Sequence, residues 1–514
     1  MGASRRDLLK SSFGFALAGS VPFLQDTRPA MAQSNQPLMS AAEIISSIRG
    51  KRLSAVEVVQ AAIQRAERLK ELNLLISLNR EPALAAAGRV DAAINGGEQL
   101  GILAGLPIVV KDNINTKDMP TSAGTPALQN ARPIANAPSL ERLLEAGAII
   151  IGKANMHELA FGITSTNLSS FAGPVRNPYD PTRIPGGSSG GTAAAIAAGV
   201  VTCGLGSDTG GSTRIPAALC GIVGLRPSVG NGGTERRYHD ENTVVPISHT
   251  RDTVGPMGRT VADVALLDSV ITGGPMGPID SLPGKRLGVP STLWSGLDRE
   301  LEELALAARS KLQRAGVVFV DADIPDLFEQ NKKVSFPLAL HEPRSDIPAY
   351  LEASGISGLT LKDIAEKIAS PDVKGAFDAI MADAFGAAYD DALNIHRPAL
   401  QKLYADYFTD NVVGGILFPT TIAPAPPLDL AKGSGEMSIN GGSPVPTFNT
   451  MIRNTDPGSN AGIPGLSLFA GMTASGLPVG LEIDGPIGSD TKLIALGRAI
   501  EEVLGSAPPP SVRP

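Results

Sequence analysis

Short apolar runs alternate with helical stretches between residues 101 and 230, and this rhythm restricts the fold more than any other feature of the chain. Leu106-Pro107-Ile108-Val109-Val110 is apolar and rich in β-branched residues, which predicts a buried strand ending at Lys111. Ser139 to Ala146 reads as a helix with Glu141 early; Gly147 stops it. Ala148-Ile149-Ile150-Ile151 is a second buried strand. Thr192 to Ala198 is a tightly packed, Ala-rich helix, and Val200-Val201-Thr202-Cys203 is the next strand. Strand, helix, strand, helix in this order predicts an α/β fold of three layers, with a central mixed or parallel β-sheet flanked by helices.

Outside that core the signals are local. Ser40-Ala41-Ala42-Glu43 and Ser54-Ala55-Val56-Glu57 place a hydroxyl and a carboxylate three residues apart, so each predicts a capping box at a helix start. Val58, Val59, Ala62, Ile63, Ala66 and Leu69 follow the second box at helical spacing. Asp298 to Ala315 reads as a helix and Val317-Val318-Phe319-Val320 as a strand, and residues 360–408 look largely helical. The stretch within 290–410 is expected to form a helical cap together with the N-terminal helices. Gly476 to Ile483 is strand-like, and Asp490 to Leu504 is a final helix. No internal repeat or low-complexity linker interrupts the chain, so residues 36–504 are expected as one domain.

The first 32 residues stand apart. Arg5-Arg6 precedes Leu8-Leu9-Lys10, an apolar stretch runs from Phe13 to Leu24, and Ala30-Met31-Ala32 precedes Gln33. Basic, apolar and small residues in this order predict a signal peptide cleaved before Gln33, too short for a good membrane span. The paired arginines point to the bacterial route that exports folded proteins. The mature chain is expected in the periplasm or secreted, with no stable membrane anchor. A Cys203–Cys220 disulfide is permitted there but not implied.

Composition excludes some functions. The formal net charge is −7, which argues against a nucleic-acid surface. The two cysteines form no C-x-x-C pair, and His157-Glu158 has no second histidine four residues on. No metal site is expected from these residues.

Two Gly- and Ser-rich loops carry the chemistry. Gly186-Gly187-Ser188-Ser189-Gly190-Gly191 precedes a helix, where glycines either cradle a phosphate or free the backbone around two hydroxyls. The lysine of a P-loop is missing. Gly206-Ser207-Asp208-Thr209-Gly210-Gly211-Ser212-Thr213-Arg214-Ile215-Pro216 follows. Ser212 sits after two glycines near a helix start, where successive N–H groups are able to point at one oxygen. Asp208 and Arg214 are placed to pair across the turn. Taken singly, each loop is more often a structural turn.

Together, residues 186–216 resemble the diagnostic stretch of the amidase signature family. Ser188 and Ser212 lie 24 positions apart, Val110-Lys111-Asp112-Asn113 matches the family's lysine pattern, and Lys153, Asn155, Glu158, Ala160 and Gly162 match a further one. The resemblance covers residues 36–504. It implies a Ser-Ser-Lys triad: Ser212 as nucleophile, Ser188 after a cis peptide bond as the bridging hydroxyl, and Lys111 as base. It also implies an oxyanion hole from the N–H groups of Thr209, Gly210, Gly211 and Ser212, supported by Ser189, Asp208 and Arg214. By position in the pattern, Gly162, Ile163 and Thr164 line the acyl pocket. The chemistry implied by the resemblance needs no organic cofactor.

The resemblance implies a small-molecule amide as substrate. Ile452 to Pro464 resembles the subgroup containing mandelamide and indoleacetamide hydrolases, so aryl-substituted primary amides lead. A peptide C-terminal amidase is the near rival. A glutamyl-tRNA amidotransferase subunit fits poorly with export and acidity. A non-catalytic periplasmic binding protein would have no reason to keep Lys111, Ser188 and Ser212 together. Oligomeric state is not legible.

Overall fold

The computed structural model describes residues 39–510 and residue 512, so the expected signal peptide, residues 1–32, lies outside the described residues. Both predicted capping boxes form. The Ser40 and Ser54 side chains accept from the amides of Glu43 and Glu57, whose carboxylates accept from the serine N–H groups. Each cap stabilises its helix by about 1 kcal/mol. They open α1 (Ala41–Arg49) and α2 (Ala55–Arg68), and α3 (Arg80–Gly96) packs beside α2.

The strands are β1 (Leu75–Leu78), β2 (Pro107–Lys111), β3 (Ile149–Ala154), β4 (Cys203–Asp208), β5 (Val223–Arg226), β6 (Thr253–Gly258), β7 (Arg286–Gly288), β8 (Val318–Val320), β9 (Gly415–Pro419), β10 (Glu436–Met437), β11 (Val445–Pro446), β12 (Gly465–Met472) and β13 (Pro478–Asp484). Eleven of them form one sheet in the order β1-β3-β2-β4-β6-β5-β12-β13-β9-β7-β8; β10 and β11 form a separate ribbon. The sheet is mixed. β2 runs parallel to both β3 and β4, while β4–β6, β5–β6 and β12–β13 are antiparallel.

The helices α4 (Pro138–Glu145), α5 (Gly190–Ala197), α6 (Arg214–Leu219) and α7 (Val261–Thr272) cover the sheet. Strand alternation decides which side each residue serves. Val109 joins the core made with α2, α3, α5 and α6, whereas Ile108 and Val110 join the core made with α1, α4 and α7. Both layers exclude water, so β2 is buried along its whole length. Lys111 shares the parity of Val109, which directs it toward the α5 side.

Two parts of the sequence reading need correction. First, β4 begins at Cys203 and continues through Gly206-Ser207-Asp208, which sequence alone placed in a loop. Glycine is required in this strand by crowding. A β-carbon on Gly204 would stand 2.5 Å from the Val109 carbonyl oxygen, and one on Gly206 would stand 2.7 Å from Met257 Sδ. Second, residues 290–320 do not belong to the cap. β7 and β8 edge the main sheet, and the helix Arg299–Arg314 lies against β12 and β13.

The cap proper is the succession of helices from Leu327 to Asp410. Ile347, Tyr350, Leu351, Val373 and Phe377 pack it onto Met156, Leu159, Ala160 and Val245, in the loops that follow the strands. Of the N-terminal helices, α2 and α3 belong instead to the core behind α5, and α1 also joins the core with α4 and α7. Cys203 and Cys220 are both free and buried. No described helix is long and apolar enough to cross a membrane.

Candidate active site

The parallel strands β2 and β4 and the loop before α5 meet at Lys111. Its Nζ donates to Ser188 Oγ at 2.8 Å, to Ser207 Oγ at 2.8 Å and to the Ser207 carbonyl at 3.3 Å. Lys111 is wholly buried. Burial disfavours the ammonium form and pushes its pKa down to about 7, although Asp208 and Asp252 oppose the shift from a distance. Among the described residues no carboxylate lies within ion-pair distance of it.

A second buried lysine shows the contrast. Lys153 has Asp112 at 3.7 Å and donates to Ile114 O, Thr116 Oγ1, Pro120 O and Thr121 Oγ1. Burial lowers its pKa only to about 8 because Asp112 restores part of the charge. Asp112 therefore serves Lys153, and also accepts from the Ser122 hydroxyl. It leaves its sequence neighbour Lys111 without a counter-ion, as the two faces of a strand allow.

Ser188 follows a cis Gly187–Ser188 peptide bond. The Ser188 carbonyl accepts from His157 N at 3.1 Å, while Ser189 N donates to the Ser212 carbonyl at 3.1 Å. Ser189 Oγ donates to Ser207 O at 3.2 Å and accepts from Ser207 N at 3.3 Å. Ser189 thus ties the first loop to both β4 and the second loop. Glycine is required here too: a β-carbon on Gly187 would stand 2.9 Å from the Ser165 amide nitrogen.

Asp208 organises the loop that carries Ser212. Its carboxylate accepts from Gly211 N (2.9 Å), Thr213 N (3.0 Å), Arg214 Nε and Nη2 (3.2 and 3.1 Å) and Arg226 Nη1 (3.0 Å). Two guanidinium groups outweigh the cost of burying it and hold its pKa well below the usual carboxylate range. Arg214 reaches on to Glu482 in β13 and to Ser459 Oγ at 2.6 Å. The expected Asp208–Arg214 pair is present, inside a larger network.

Gly211 was expected among the oxyanion donors, but Asp208 already takes its N–H. Among the described residues the amides of Thr209, Gly210 and Ser212 have no protein acceptor of this kind. Gly211 has φ +136°, and a β-carbon on it would stand 2.2 Å from Thr455 Oγ1. Thr455 in turn donates to the Gly210 carbonyl at 2.6 Å. Thr209 Oγ1 donates to Asp252 Oδ1 at 2.6 Å, and Asp252 Oδ2 accepts from the amides of Ile247 and Ser248.

The expected pocket residues lie beside the first loop. Ile163 is buried in one apolar cluster with Ile215, Met451 and Ile452. Thr164 Oγ1 is 3.3 Å from His157 Nδ1 and accepts from Thr166 N at 3.2 Å, so its hydroxyl is largely engaged. Gly162 lies against the His157 ring. His157 Nε2 is 3.0 Å from Asp372 in the cap, and the Glu158 carboxylate accepts from Ser370 N at 2.8 Å. These residues join loop and cap.

Sequence reasoning missed Ser207, Asn113, Asp252, Thr455, Arg226 and Glu482. Ser207 and Asn113 sit inside the very runs that were singled out, and Asn113 Nδ2 donates to Ser207 Oγ at 3.0 Å. The others are remote in sequence and carry no local pattern. One group of metal-capable side chains gathers among the described residues: His249, Glu342 and Asp346. Donors already engage its carboxylates: the Ser248, Thr250 and Tyr389 hydroxyls for Glu342, and His249 N for Asp346.

A buried lysine hydrogen-bonded to Ser188, a second serine in the adjoining loop and three amides free of protein acceptors make this the candidate active site. The comparisons agree. The family model described as Amidase matches residues 57–494. The chain is 42% identical to an indoleacetamide hydrolase of Agrobacterium vitis over 473 residues, 91% of this chain and 97% of that one. It is 39% identical to a mandelamide hydrolase of Pseudomonas putida, covering 92% of this chain and 93% of that one. The solved peptide amidase of Stenotrophomonas maltophilia superposes with a TM-score of 0.78 at 29% identity, over 92% and 98% of the two chains. This chain belongs to the amidase family, and it is an amide-hydrolysing enzyme.

Proposed function

We propose that the chain hydrolyses aryl-substituted primary amides through an acyl-enzyme on Ser212. The observation that carries the mechanism is the 2.8 Å hydrogen bond between Ser188 Oγ and a buried Lys111 with no carboxylate partner. Ser212 Oγ attacks the carbonyl carbon. Its proton passes to Ser188, whose own proton passes to neutral Lys111. The amides of Thr209, Gly210 and Ser212 stabilise the oxyanion. As the tetrahedral intermediate collapses, the relay returns a proton to the leaving nitrogen and ammonia departs. Water then attacks the ester by the same relay, releasing the acid and restoring Ser212.

The aryl preference rests on the likeness to indoleacetamide and mandelamide hydrolases. The peptide amidase neighbour favours a second reading, removal of the amide from a peptide C-terminus. A panel of phenylacetamide, mandelamide, butyramide and a peptide amide separates them by kcat/KM. Phenylacetamide or mandelamide should lead by at least tenfold. A lead for the peptide amide would replace the first reading with the second.

Export is part of the same proposal, since Arg5-Arg6 and Ala30-Met31-Ala32 form an ordered signal. Changing both arginines to lysine should retain the precursor in the cytoplasm. Unaltered appearance in the periplasm would rule out the twin-arginine route.

A further inference from the structure

The acyl part of the substrate must leave Ser212 along the surface beside the oxyanion loop. Gly210 of that loop is covered by Ile452: a β-carbon on Gly210 would stand 2.9 Å from Ile452 Cδ1. Ile452 ends the short helix Thr447–Ile452. Phe448 lies four residues earlier, on the same face and one turn away, roughly 6 Å along the axis.

Phe448 is 37% exposed. Its ring lies 6.4 Å from that of Phe336, with the planes 27° apart, and Phe336 is itself 39% exposed. Phe336 continues to Phe385 at 6.2 Å and again 27°. Three near-parallel rings thus come from three separate segments: cap helix Ser335–His341, the residue before cap helix Gly386–Asp391, and the helix against the oxyanion loop. The spacings are those of offset aromatic pairs.

Phe377 and Phe418, which pack inside the apolar cores, are closed off, each 1% exposed. Phe336 and Phe448 differ by keeping ring surface open at the seam between cap and core. Such surface rewards a planar aromatic group more than an alkyl chain, because ring stacking adds to the area that either would bury.

We infer that Phe448 and Phe336 are the specificity-determining platform for the substrate's aryl group. The inference rests on the aryl-amide reading above and assigns residues to it. Ile452, which covers Gly210, and Phe448, one turn before it on the same helix, link the oxyanion loop to this open ring surface.

The test compares kcat/KM for phenylacetamide with that for butyramide in wild type, Phe448→Ala and Phe336→Ala. The aryl-to-alkyl ratio should fall roughly ten- to hundredfold, the range that hydrophobic pocket contacts provide. The change should appear in KM for phenylacetamide, and Phe448→Tyr, which keeps the ring, should restore most of it. If an alanine variant does not fold, Phe448→Leu keeps apolar volume without the ring and carries the same test. An unchanged ratio, whether both substrates fall together or neither moves, overturns the platform. Failure of the underlying reading looks different: wild type would then turn over butyramide and not phenylacetamide, which overturns both statements.

Discussion

Ser212→Ala should lower kcat by a factor on the order of 10⁴ or more, the scale seen when a serine nucleophile is removed from a catalytic unit. The loss follows from position. In the proposed mechanism Ser212 Oγ is the attacking oxygen, whereas Ser188 Oγ is held in the relay by Lys111. The variant should fold normally, because the loop is fixed by Asp208, Ser189 and Thr455 and not by the Ser212 hydroxyl. Covalent labelling by a fluorophosphonate should vanish with it. Ser188→Ala should behave differently. It keeps the nucleophile but cuts the path to Lys111, so acylation and deacylation both slow while labelling persists at a reduced rate. Full labelling of Ser212→Ala would move the nucleophile elsewhere, and labelling of Ser188→Ala at the wild-type rate would remove the relay.

Lys111→Arg should cost roughly a hundredfold or more in kcat/KM, as general-base removal does. Arginine keeps the positive charge and much of the length, but it does not deprotonate in a protein. If Lys111 acted only as a fixed cation holding Ser188 and Ser207, arginine would retain part of its function. The pH profile distinguishes the roles by sign. In the proposed mechanism the neutral amine is the working form, and burial places its pKa at about 7. Below that pH the lysine takes a proton, so wild-type kcat/KM should fall about tenfold per pH unit. Above it the rate should level off. The arginine variant should lack this limb. A folded Lys111→Arg enzyme within a few-fold of wild type on the same profile would refute the base assignment.

The parts of this molecule legible in its sequence are those decided over short distances. A capping box needs four residues, and a buried strand is visible as an apolar run. β2, β3 and the final helix therefore appear close to where the residues suggest. β4 was misread because its glycines look like loop residues; Val109 and Met257, distant in sequence, are what demand them. The cap was blurred for a related reason. Its helices are short and owe their place to contacts with the loops after the strands, which leave no periodic signature. The site shows the same division. Lys111, Ser188 and Ser212 lie in recognisable runs. Asp252 and Thr455 act on the oxyanion loop from about forty and over two hundred residues away. The role of Asp208 was half visible: its pairing with Arg214 was expected, its hold on the Gly211 amide was not.

The Asp208 network also fixes the order in which the protein gains function. Arg214 and Arg226 are buried cations whose partners include Ser459, in the helix Asp456–Ala461, and, for Arg214, Glu482 in β13. Asp208 alone is one carboxylate for these two cations, and a buried charge left without a partner is strongly unfavourable. A chain emerging from the ribosome possesses Lys111, Ser188 and Ser212 long before it possesses those residues. The loop bearing Ser212 is therefore set only when β12 and β13 close beside β5. Reactivity arrives at the end of synthesis, and a half-made chain carries its serines without an active centre.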